Sequence, residues 1–266
     1  MIVRGGFDAE ELDDLVKNDK EFVETHIHLL DQLLATTFAR LRSKDSQSIR
    51  ILSMMHIFYA VAQRTAIAAA LKLTPSSVAT SLGLLYQMFL IERVGEGYSL
   101  LPYTKEFIEK EQKQNPILQG GKRLDEFLAE ARLQLAMYYT QKLKERIVGD
   151  QVKFLGPEKD NVVKIAALCW QNKEWKALID LVYTAGRPLG ILGMLREKQD
   201  LGEKAIDACK NLGAKFDEHR EWFAVHDVAW TLARNEHPEE AMQIWENSLA
   251  IAQKRRDPKN RFLFVG

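Results

Sequence analysis

The stretch from Thr74 to Phe107 restricts the fold more than any other part of the chain. Thr74-Pro75 pairs a good N-cap with a residue suited to the first helical turn, and Val78, Leu82, Leu85, Phe89 and Leu90 follow at helical spacing. The spacing predicts one amphipathic helix. Ile91-Glu92-Arg93-Val94 and Tyr98-Ser99-Leu100-Leu101 are β-favouring runs around Gly95-Glu96-Gly97, which predicts a short hairpin. Pro102 cannot donate to a ladder, so the second strand should stop there and Tyr103-Thr104-Lys105-Glu106-Phe107-Ile108 should start a new helix.

Two earlier segments, Ser46 to Val61 and Thr65 to Leu73, read as helices and complete the set that a winged helix needs, with the hairpin as its wing. The winged-helix domain is placed at 46–113. A DNA-reading version would aim Arg, Lys, Asn or Gln from the third helix at base edges, but the polar residues here are Thr74, Ser76, Ser77, Thr80, Ser81 and Gln87. No cation lies between Thr74 and Leu90, and the wing offers Arg93 beside Glu92 and Glu96. The pattern fits protein packing and argues against nucleic acid. Residues 1–45 read as N-terminal helices: a short acidic one capped by Asp8 with Leu12, Leu15 and Val16, then a longer one from Glu21 to Arg42. The longer helix carries a stripe of Phe22, Leu29, Leu30, Leu33, Leu34, Phe38 and Leu41. His26 and His28 point roughly 200° apart on such a helix and cannot grip one metal ion.

Composition removes several function classes. Lys+Arg and Asp+Glu both count 37, so no net field draws the chain to nucleic acid or anionic lipid. The first 28 residues hold three basic and eight acidic residues around no apolar core, and no later apolar run reaches membrane-spanning length. Cys169 and Cys209 sit in apolar helical contexts that suit buried free thiols, which fits a reducing cytoplasm. No HExxH, CxxC or GxSxG motif or paired-carboxylate constellation appears, and His219 and His226 are about 10 Å apart along a helix, too far for one metal alone. The expectation is a non-enzyme with no catalytic residues, no cofactor and no metal.

Between Lys110 and Gly121 the chain turns polar and ends Asn115-Pro116-Ile117-Leu118-Gln119-Gly120-Gly121, the best candidate linker. Few contacts are expected to cross it. Lys122 to Val148 reads as one long helix within a connecting region, 122–156, that Gly156-Pro157 should end. From 157 to 266 every element reads as helical and returns at short intervals. In the segment Trp222 to Ala252, Val228-Ala229 and Leu232, a turn at Pro238, then Ala241, Trp245, Ser248 and Leu249 match the small-and-large pattern of a tetratricopeptide repeat. The unit before it places Leu192-Gly193 at the Leu-Gly positions of a first helix and Ala205, Cys209 and Leu212 in a second. Ala205 to Ala241 spans 36 residues, which implies a longer turn near Ala214-Lys215 than a period of about 34 requires. A degenerate third pair covers Val162 to Trp170 and Trp175 to Ala185. The fold class is therefore mainly α, a winged helix with a short wing followed by a tetratricopeptide-like helical repeat domain.

By resemblance to that repeat, the groove-facing positions of the last unit fall on Phe223, His226, Trp230, Ala233 and Arg234. Phe223, His226, Trp230 and Arg234 recur at offsets of three or four, one stripe that could hold an acidic or extended peptide, while Val225, Val228, Ala229 and Leu232 face the repeat core. The competing reading packs Trp230 and Phe223 against a neighbouring helix.

The order of elements, with LLDQLLATTFARL, SIRILSMMHIFYAV, a winged helix and the closing YSLLPYTKEFIEKE, resembles the end of the nucleotide-binding module of NB-ARC-type STAND signalling ATPases. Tyr98, Leu100, Pro102 and Phe107 match the family's closing run, and Leu101 stands where the family often has the histidine that senses the nucleotide β-phosphate. The run NVVKIAALCWQNKEWKALIDLVYTAG resembles the segment that succeeds the winged helix in many bacterial members. The resemblance implies the sensor portion of a signal-transduction switch, in which the repeats bind a protein or small ligand and the winged helix relays this to an ATPase module in cis or in trans. A protein partner or self-association is expected. A stand-alone adaptor and a winged-helix transcription regulator remain as alternatives. No GxxxxGK[ST] loop is present, so the chain reads as a part of a larger ATPase or as a relative without one. Alone it should neither hydrolyse ATP nor bind ADP tightly; a calorimetric Kd of about 1 μM, roughly −8 kcal/mol, would overturn this.

Overall fold

The computed structural model describes residues 29–42, 45–59, 61–114, 123–235 and 237–255. The acidic helix expected near Asp8, both early histidines, the candidate linker at 115–121 and the tail beyond 255 lie outside these residues. The described chain is mainly α with one small sheet. Among the described residues no helix is long and apolar enough to cross a membrane.

Helix α1 (29–42) buries Leu34, Phe38 and Leu41, with Phe38 packed at 4.9 Å, ring to ring, on Phe107. Leu29 and Leu33 of the expected stripe stay exposed. Helix α2 (Ser46–Met55) is capped by Asp45, whose carboxylate accepts from the amides of Gln47 and Ser48 and, at 3.1 Å, from the Ser81 hydroxyl. The sequence predicted this helix to run to Val61. It stops at Met55, and the chain instead turns into a short strand, β1 (Ala62–Gln63).

Helix α3 (Arg64–Ala70) is shorter than its predicted span, and α4 (Pro75–Gln87) begins as expected, with Thr74 accepting from the Ser77 amide and Pro75 in the first turn. Phe89 does not belong to the apolar stripe: it sits past the helix end at φ +54° and is 80% exposed. Strands β2 (Ile91–Val94) and β3 (Gly97–Leu100) form the predicted hairpin, and β1 pairs on the far edge of β3, giving an antiparallel order β1-β3-β2. Gly95 takes φ +57° in the turn, and a side chain at Gly97 would collide with Val61 and the Ala62 carbonyl.

After α5 (Pro102–Gln114) come α6 (Leu124–Lys144), α7 (Val148–Gln171), α8 (Trp175–Ile191) and α9 (Leu195–Leu212). A 3-10 turn (Ala214–Phe216) then leads into one helical run that is α in α10 (Asp217–Phe223), π over Ala224–Ala229 and α again in α11 (Trp230–Arg234). Helix α12 (Pro238–Arg255) closes the described chain. Each helix from α6 onward packs on the next, and α6 also reaches α8.

Two expectations fail here. Gly156-Pro157 does not end an element but lies inside α7. Pro157 and Lys153, whose carbonyl the proline leaves without a partner, are both exposed, so water can satisfy the lost bond. Leu192-Gly193 is not inside a helix but forms the turn between α8 and α9, with Gly193 at φ +79°.

Contacts across the candidate linker are extensive. Helix α6 packs on α3 as well as on α7 and α8, and one cluster of buried apolar side chains runs from Leu34 to Phe223. The connection between α2 and β1 is also gripped by α7. Asn161 accepts from the Tyr59 amide at 2.9 Å and donates to Val61 O at 2.8 Å, while Lys164, one turn along, donates to His56 O at 2.6 Å and Phe58 O at 2.8 Å. Asn161 also donates to Glu158, which accepts from the Tyr139 hydroxyl of α6 at 2.7 Å. Removing Asn161 strands a backbone amide, a carbonyl and part of a buried carboxylate. Asn161→Ala should cost about 2–3 kcal/mol in denaturant unfolding. A loss below about 0.5 kcal/mol would show that water replaces the side chain.

Candidate functional site

A cavity of about 520 Å³ opens where the end of α8, the start of α9 and the helical run 217–234 meet. Arg187, Gly190 and Ile191 line it from α8, and Lys198 from α9. The opposite side consists of Trp222, His226, Asp227, Trp230 and Arg234.

The floor is a buried ion pair. Lys198 Nζ lies 3.3 Å from Asp227 Oδ1, and the two side chains are only 7% and 1% exposed. The ammonium donates to His226 O at 2.7 Å, and neither Asp227 oxygen receives a well-formed hydrogen bond. Burial pushes the Asp227 carboxyl up to about 7 against the pull of Lys198. Burial likewise pushes the Lys198 ammonium below its ordinary value, with Asp227 opposing. Burial, and after it the charge of Lys198, hold the His226 imidazole below its ordinary value.

Two glycines make this depth accessible. A Cβ at Gly186 of α8 would stand 2.8 Å from Asp227 Oδ1, and one at Gly202 of α9 would stand 2.8 Å from Asp227 Cβ. The π segment carries Asp227 into this space. Its hydrogen bonds span one residue more than those of an α-helix, which offsets the faces on either side of it.

The upper wall is aromatic. Trp222 and His226 lie against each other with ring centres 4.9 Å apart, tilted by 41°. Lys198 Nζ lies 4.4 Å from the Trp230 ring centre, and the Arg234 guanidinium lies 4.7 Å from it. Trp230 remains 38% exposed.

Of the stripe read from the sequence, the structure brings His226, Trp230 and Arg234 to the cavity and takes Phe223 away from it. Phe223 is fully buried in the main core, edge-on to Trp222 at 5.5 Å. The cause is the π segment: residues before it and after it no longer share the 3.6-residue face that the offsets assumed. Of the residues expected to face the repeat core, Val228, Ala229 and Leu232 form a small cluster with Ala241 between the run 217–234 and α12, while Val225 is buried outside that cluster. Sequence reasoning missed Arg187, Lys198, Trp222 and Asp227. The available signal was Gly186 and Gly202 inside helices, where glycine is costly unless something packs close.

Neither cysteine lines the cleft. Both cysteines are free and buried; burial pushes the Cys169 thiol far up and the Cys209 thiol up to about 11, so neither is a nucleophile at neutral pH. Among the described residues no group of three or more His, Cys, Asp or Glu side chains could hold a metal ion. Comparison with protein-family models, curated proteins and solved structures finds no match to this chain.

Because the folded Asp227 pKa is raised, its favourable contribution is complete below about pH 4 and is lost as the pH climbs toward about 7. Asp227→Asn removes that loss. The melting-temperature advantage of the native chain over Asp227→Asn should therefore shrink from pH 4 to pH 7. An advantage that grows over this interval would mean that Lys198 keeps the carboxylate ionised.

Proposed function

We propose that the chain is the non-catalytic sensor and relay portion of a STAND-type signalling switch. In this reading 46–113 is a winged helix that packs on protein rather than DNA, and the helices from α7 onward are tetratricopeptide-like pairs. The carrying observation is a cleft lined by aromatic and cationic side chains in a helical array that shares one core with the sheet-bearing unit. Ligands favour concave sites with apolar walls and a few converging polar groups, and this cleft has both.

Three features support the finer assignment. The sheet order β1-β3-β2 places the first short strand beside the hairpin, as a winged helix requires. The exposed side of α4 presents Thr74, Ser76, Ser77 and Thr80 and no cation, which suits protein contact better than phosphate contact. Neighbour-on-neighbour packing from α6 to α12 is the contact pattern of a short helical solenoid. Ligand at the cleft would act on α8 and α9, which lean on α6 and α7, the two helices that hold the winged-helix unit.

Two measurements test this. Trp230→Ala should leave stability within about 1 kcal/mol of native, whereas Phe223→Ala should lose about 3–5 kcal/mol. Equal large losses would make the cleft wall part of the core and remove the sensor site. The ATPase link is tested by isolating the protein with its natural partners and assaying nucleotide hydrolysis. Hydrolysis by a subunit or domain carrying a GxxxxGK[ST] loop supports the switch, and its absence overturns it.

A further inference from the structure

The charges at the cleft do not balance. Three cations, Arg187, Lys198 and Arg234, face it, with Asp227 as the one carboxylate among the lining residues. Lys198 is taken up by Asp227 and by the His226 carbonyl beneath the surface, so that pair settles its own charge on the floor. Arg187 and Arg234 are left exposed at the rim, on opposite walls, and among the described residues neither has an ion-pair partner. Arg234 is not loose, because its guanidinium rests over the Trp230 ring. An arginine fixed in this way keeps its planar fork presented with little ordering left to do.

Besides the two arginines the lining is largely aromatic and apolar. Trp222 lies against His226 at 4.9 Å, Trp230 continues the surface, and Ile191 closes the α8 side. A volume of about 520 Å³ suits a compact molecule. Resting on the reading of this cleft as the ligand site, we propose that it binds a small molecule composed of a planar aromatic ring bearing an anionic group. The ring lies along Trp222, His226 and Trp230, and Arg187 and Arg234 receive the anion. Carboxylate and phosphate both match the guanidinium fork, so the shared chemistry is an oxyanion on an aromatic body. The buried Lys198–Asp227 pair forms the floor of the site and anchors the π segment beside Gly186 and Gly202.

Titration calorimetry of the whole chain with 1-naphthoate, 1-naphthyl phosphate, neutral 1-naphthamide and inorganic phosphate tests this. One of the two aromatic anions should bind saturably and at least about tenfold more tightly than 1-naphthamide or inorganic phosphate, a gap of about 1.4 kcal/mol. Whichever anion binds tighter identifies the oxyanion. Arg187→Ala and Arg234→Ala should each weaken that anion by about tenfold and leave 1-naphthamide unchanged, a split that a merely structural role would not produce. If 1-naphthamide binds as tightly as the anions and Trp230→Ala abolishes it, the ligand class is overturned while the cleft remains a binding site. If no probe binds saturably up to millimolar concentration, both the ligand class and the sensor site fall.

Discussion

An irregular connection inside a protein must have its backbone amides and carbonyls satisfied by something, and here that requirement joins the two halves of the chain. Among the described residues, the segment that leaves α2 for β1 joins no strand ladder before Ala62, and α7 supplies partners for its backbone through Asn161 and Lys164. Because β1 must pair with β3, this connection cannot retreat from α7 without also disturbing the sheet. Apolar packing of α6 on α3 lies beside it, so polar and apolar constraints act at one interface. Helices remote in sequence from the hairpin thereby become its support.

The cleft depends on a second local constraint of opposite character. A carboxylate buried to 1% exposure is costly, and it is tolerated here because Lys198 stands 3.3 Å away and two glycines let the π segment approach. Pairing does not restore the full solvation that both groups lose, which is why burial still dominates the shift at each of them. The arrangement places Trp222, His226 and Trp230 along one wall. It leaves the rim charge of Arg187 and Arg234 untouched.

Together the two constraints give the sensor-and-relay proposal a physical basis. Helices α8 and α9 line the cleft, α6 and α7 support them, and α7 holds the connection that enters the sheet. A rearrangement of α8 or α9 meets close-packed neighbours rather than a flexible tether, and close-packed interfaces respond by shifting as units. The buried Glu158, linked to Tyr139 and Asn161, lies at the middle of that path.

Much of the local architecture was legible from the chain alone. Thr74-Pro75, Gly95 and Pro102 act through rules that need no distant partner: a cap, a positive φ and a missing donor. For that reason α4, the hairpin and the start of the next helix stand close to where the residues placed them. Periodicity likewise placed Val228, Ala229 and Leu232 on the core-facing side, where they pack with Ala241, and brought His226, Trp230 and Arg234 to one surface. Three things were settled only in three dimensions. Helix α2 ends early because its continuation is claimed by Asn161 and Lys164, about a hundred residues downstream. Pro157 is tolerated inside α7 where both it and Lys153, whose carbonyl it leaves unbonded, are exposed residues. Phe223 leaves the predicted stripe because a π turn, fitted around Asp227 between Gly186 and Gly202, changes the period on which the stripe was counted. Sequence determined what each segment could be by itself, while the choice among its local options fell to groups that come near only after the chain has folded.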